Sequence, residues 1–93
     1  MAWYLGTVVV RFVRADRSGR PLTDAELDRL ADVLIRGDGV ATVRVEPHGR
    51  ATVVRVDVRA AAPGEVAALA VLPLQEAARE LALEARVETV AVQ

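Results

Sequence analysis

The chain has 93 residues, 53% of them hydrophobic and 27% charged, with a formal net charge of −1. That length supports one core and no second domain, and the balance of apolar and charged residues excludes a disordered chain. The near-zero charge supplies no global field to draw the protein to nucleic acid or to an anionic membrane, and with neither cysteine nor lysine the chain has no disulfide, thiolate or Schiff-base chemistry.

The segment Met1-Ala2-Trp3-Tyr4-Leu5-Gly6 has no basic stretch before its apolar residues, so no signal peptide is expected and a cytoplasmic location is. Apolar runs such as Val66 to Leu72 are far shorter than the ~20 residues that cross a bilayer. From Trp3 to Arg14 the chain is rich in β-branched and aromatic residues and free of proline, which predicts a first strand. Its two faces, Tyr4, Val8, Val10, Phe12 and Trp3, Leu5, Val9, Val13, are both largely apolar, as in a central strand.

After the turn residues Asp16 to Pro21, Thr23-Asp24-Ala25-Glu26 matches a capping box, in which each end's side chain satisfies the other's free backbone amide. Leu27, Leu30, Ala31, Leu34 and Ile35 share one helical face, and Gly37 or Gly39 is a suitable left-handed stop. Val40 to Glu46 and Ala51 to Arg59 alternate around Pro47-His48-Gly49-Arg50, predicting a hairpin that pairs Val45 with Thr52, Val43 with Val54 and Ala41 with Val56. Ala62-Pro63-Gly64-Glu65 opens a second helix, which Pro73 is expected to kink or restart, and Ala85 to Val92 alternates as a last strand.

The order strand, helix, strand, strand, helix, strand closes through two split crossovers into a four-stranded antiparallel sheet with both helices on one face. The expected class is therefore α+β, a ferredoxin-like sandwich over residues 1–93.

Catalytic and ligand motifs are sparse. His48, the only histidine, sits between proline and glycine at a predicted turn, where nothing orients it for acid–base work. Ser18, the only serine, has no strand–turn–helix elbow around it. Gly37-Asp38-Gly39 leads from helix into strand, whereas cradling a phosphate needs a loop that feeds a helix. One histidine and scattered carboxylates provide no metal site, and no cofactor is expected. The open-face residues of the third strand, Val53, Arg55, Asp57 and Arg59, lack the stacking aromatics that RNA-recognition modules use, so nucleic acid is not an expected partner.

Arg11, Arg14, Arg17 and Arg20 gather around the first loop, and Gly19-Arg20 is similar to a fragment of the phosphate loop of acylphosphatases. Those enzymes orient water with an asparagine, which this chain lacks. Asp16-Arg17-Ser18-Gly19 is loosely similar to the Asp-Arg-Pro-Gly start of ACT domains and departs from it at Ser18. That resemblance implies a regulatory module binding a small ligand at a dimer interface.

The leading expectation is a non-catalytic interaction module, self-associating through the open sheet face or a sheet edge, with the ligand-binding module as the alternative. Antiparallel pairing of the first and last strands brings the start of one beside the end of the other. Trp3, Leu5, Val90 and Val92 are accordingly expected to share the face that the helices leave uncovered, ringed by Arg11, Arg55, Asp57, Arg59, Arg86 and Glu88. Such an apolar centre suits a second copy of the chain or another protein.

Overall fold

The computed structural model describes residues 3–92; Met1, Ala2 and Gln93, the ends of the expected 1–93 domain, lie outside it. Six elements follow one another: β1 (Tyr4–Arg14), α1 (Asp24–Ile35), β2 (Val40–His48), β3 (Ala51–Ala60), α2 (Glu65–Glu80) and β4 (Leu83–Val92). They build one antiparallel sheet in the order β2-β3-β1-β4, which is the ferredoxin-like α+β arrangement. β1 is central, as its two apolar faces require.

The inner face of the sheet carries Val8, Val10 and Phe12 from β1 and Val54, Val56 and Val58 from β3, all buried. Val43 and Val45 of β2 complete it while remaining partly exposed at the edge. Above this face lie Leu30, Val33 and Leu34 of α1 and Val66, Ala70, Leu74 and Ala77 of α2. α1 begins where the capping box puts it: the Thr23 hydroxyl accepts from the Glu26 amide and the Glu26 carboxylate from the Thr23 amide. Its buried stripe is rotated from the expected one, for Val33 is buried while Ile35 is 45% exposed. The cause is that α1 packs on α2 as well as on the sheet.

Three further expectations are corrected. First, the β2–β3 strands run on to pair His48 with Ala51, so Val45 faces Val54 and Val43 faces Val56, two residues from the predicted register. The shift is even, so Val43, Val45, Val54 and Val56 keep their faces, whereas the irregularity between Val40 and Thr42 turns Val40 inward, opposite Val58. Gly49, at φ 60°, opens the two-residue turn, and Pro47 is accommodated because β2 is an edge strand. Second, α2 runs unbroken through Pro73, which is buried. Its ring sits against Gly37, where an added Cβ would lie 2.7 Å from the Pro73 Cγ. The third correction concerns β4.

Candidate interaction edge

Opposite residues of an antiparallel pair share a face, so β1 fixes the side of every residue of β4. Arg14 pairs with Leu83, Phe12 with Ala85 and Val10 with Val87, placing Leu83, Ala85 and Val87 on the helix side. Next, Val9 pairs with Thr89, and Glu88 is left without a partner: the strand bulges by one residue. Beyond the bulge the faces exchange. Val90 faces Val8 and Val92 faces Gly6, both on the helix side, while Thr89 and Ala91 join Glu84 and Arg86 on the open side.

The expected cluster is thereby divided. Leu5 faces Arg59 on the open side, whereas Val90 and Val92 lie on the opposite side of the sheet. Trp3 directly precedes β1 and is 59% exposed. The end of β4 does lie beside the start of β1, as strand direction requires; the inserted residue turned its valines over.

β4 is the outer strand of the sheet, and of its ten residues only Leu83 is buried. Val87, Val90 and Val92 stand on the helix side without being covered, at 53%, 48% and 42% exposure. The expected cluster leaves out Val87 and has Glu88 in its charged ring, although the spacing of Ala85, Val87, Val90 and Val92 carries the signal: two, three and two residues, instead of steady alternation. The other edge, β2, interposes Pro47, which has no backbone donor and discourages strand addition.

The open side of the sheet carries half-buried Val9, Val13 and Val53 among mostly charged and hydroxyl side chains. Arg44 faces Arg55 and Arg11 faces Arg86 directly across their strand pairs. Arg11 is ion-paired with Glu88 at 2.6 Å. Asp57 receives hydroxyl donors from Thr42 on one neighbouring strand and Thr7, at 2.6 Å, on the other. Those two bonds, the Thr42 one foremost, hold its carboxyl below the ordinary range.

Elsewhere the candidate groups are self-satisfied or solvent-facing. The Asp16 carboxylate accepts from the Ser18 amide at 2.9 Å, and the Ser18 hydroxyl accepts from the Arg20 amide. That turn, the one resembling the start of ACT domains, directs its polar groups at its own backbone. The His48 side chain is 63% exposed, with the Glu46 carboxylate 3.9 Å away. A depression of about 260 Å³ lies where the end of α1 meets α2, its lining including Arg36, Gly37, Leu69, Leu72, Pro73 and Glu76. Among the described residues no helix is long and apolar enough to cross a membrane, and no cluster of three His, Asp or Glu side chains gathers as metal ligands.

No protein-family model matches this chain, and no curated protein matches it either.

Proposed function

We propose that this domain is a non-catalytic protein-interaction module that works by strand addition at β4. The occupant is an extended protein segment with small aliphatic side chains placed to meet Val87, Val90 and Val92 across the bulge. The observation that carries the reading is the exposed row of Val87, Val90 and Val92 along an outer strand ten residues long. Strand addition supplies two kinds of binding at once. Unpaired backbone groups on the edge form ladder hydrogen bonds, and the alternate side chains bury the valines. The open face is less suited to an apolar partner, because its arginines and carboxylates would have to be desolvated.

A soluble extended peptide of threonine and valine, its valines spaced two, three and two residues apart as Ala85, Val87, Val90 and Val92 are, is the probe, titrated into isotope-labelled protein by NMR. Amide resonances of residues 84–92 should shift and those of 40–48 stay in place. Shifts confined to β2, to the Arg44–Arg55 region or to the α1–α2 depression would overturn the reading. Replacing Val87 and Val90 by lysine should abolish the shifts while leaving the melting temperature close to that of the parent, since both side chains are about half exposed.

A further inference from the structure

The bulge gives β4 a property that a regular strand lacks. Along it, the helix side holds Ala85, Val87, Val90 and Val92, and the open side holds Arg86, Glu88, Thr89 and Ala91. Glu88 belongs to the open side because its carboxylate reaches the Arg11 guanidinium there, at 2.6 Å. Read from either end, this pattern of sides is the same about the point between Glu88 and Thr89.

Resting on the reading of β4 as the working edge, we propose that the added strand is the β4 of a second copy, antiparallel, about a two-fold axis between Glu88 and Thr89. That axis is perpendicular to the sheet and keeps the helices of both copies on one side. Val87 then faces Val90 of the second copy and Ala85 faces its Val92, each pair occurring twice. On the helix side, every apolar side chain from Ala85 to Val92 meets an apolar side chain of the second copy, while on the open side Ala91 faces Arg86, and the two four-stranded sheets become continuous. Other axes fail at the bulge: one through Val87 sets Ala85 against Thr89, and one through Val90 sets Glu88 against Val92, side chains on opposite faces. The two Glu88 carboxylates that approach the axis arrive already neutralised by Arg11. An isologous interface needs this self-complementarity, and an unrelated strand has no reason to match an edge whose face pattern reverses in its middle.

The absence of cysteine makes cross-linking a clean test. Directly opposed residues of an antiparallel pair lie within reach of a disulfide, whereas an offset of three residues, roughly 10 Å along a strand, lies beyond it. Val87→Cys mixed with Val90→Cys should oxidise to a cross-linked heterodimer, and either variant alone should stay uncross-linked. Sedimentation of the parent should give the mass of two chains, falling to one in Val90→Lys. Homodimeric cross-links from Val87→Cys or from Val90→Cys alone would overturn the axis. A parent that remains a single chain at millimolar concentration would overturn the second copy as occupant. In that case the peptide titration still decides separately whether β4 accepts a strand.

Discussion

Glu26 joins two elements through one carboxylate. It caps α1 and receives the Arg14 guanidinium from the end of β1, with Nη2 at 2.5 Å and Nη1 at 3.0 Å. The Arg14 bonds first, and the Thr23 amide second, hold its pKa near 2, below the ordinary 4.5. Folding therefore favours the ionised form, and the stabilisation is fully present above about pH 4.5 and lost as pH falls through about 2. Glu26→Gln should accordingly be less stable than the parent near neutrality, with the gap closing towards pH 2; urea titrations across that window measure it. No gap at any pH would show that shape and not charge is what the site needs. Gly6 raises a different issue, that of space. It lies on the inner side of β1, where an added Cβ would stand 2.2 Å from the Val66 Cγ1. Gly6→Ala should cost about 1–3 kcal/mol by overpacking, and Val66→Ala in the same chain should recover part of it. A double variant whose loss equals the sum of the two single losses would mean that the two positions do not compete for the same volume.

At the scale of elements, what the sequence makes legible follows from how local the determining contact is. The start of α1 was legible because its cap is closed by residues three apart, Thr23 and Glu26. The unbroken course of α2 was not, because the space for the Pro73 ring is supplied by Gly37, far off in the chain. The hairpin shows an intermediate case: alternation gave the faces of β2 and β3, while the register depended on Pro47 being tolerated at an edge. In β4 the bulge was written in the spacing of the valines, but only the paired strand shows which residue is left over. The end of α2 is a further local feature: Ala82 adopts φ 54° where the chain turns from α2 into β4, and its carbonyl accepts from the Ala15 amide. A left-handed conformation costs an alanine of order 1 kcal/mol that glycine avoids. Ala82→Gly should therefore gain roughly 0.5–1 kcal/mol net of the freer unfolded chain, and a loss in denaturant midpoint would refute this account of the turn.

Across the whole molecule, the fold and the candidate site had different fates. The ferredoxin-like order was legible because it needs only element types in sequence and the handedness of crossovers. The expected patch of Trp3, Leu5, Val90 and Val92 required face assignments at both ends of a long strand, which one unpaired residue, Glu88, reversed. Removing β4 tests the same topology from another direction. A chain ending before Leu83 would leave β1 as an outer strand, and Val8, Val10 and Phe12 would lose part of their surroundings. It should aggregate at concentrations where the parent is clear, as light scattering would show. The position of β1 also has a consequence in time. The sheet is centred on its first strand, whose partners β3 and β4 are encoded in the second half of the chain. On a ribosome moving at about 5–20 residues per second, β1 emerges several seconds before β4 exists. Its most apolar segment must stay unassociated for that interval, so the rate of translation through residues 51–92 sets how long a nascent chain of this protein is vulnerable to its neighbours.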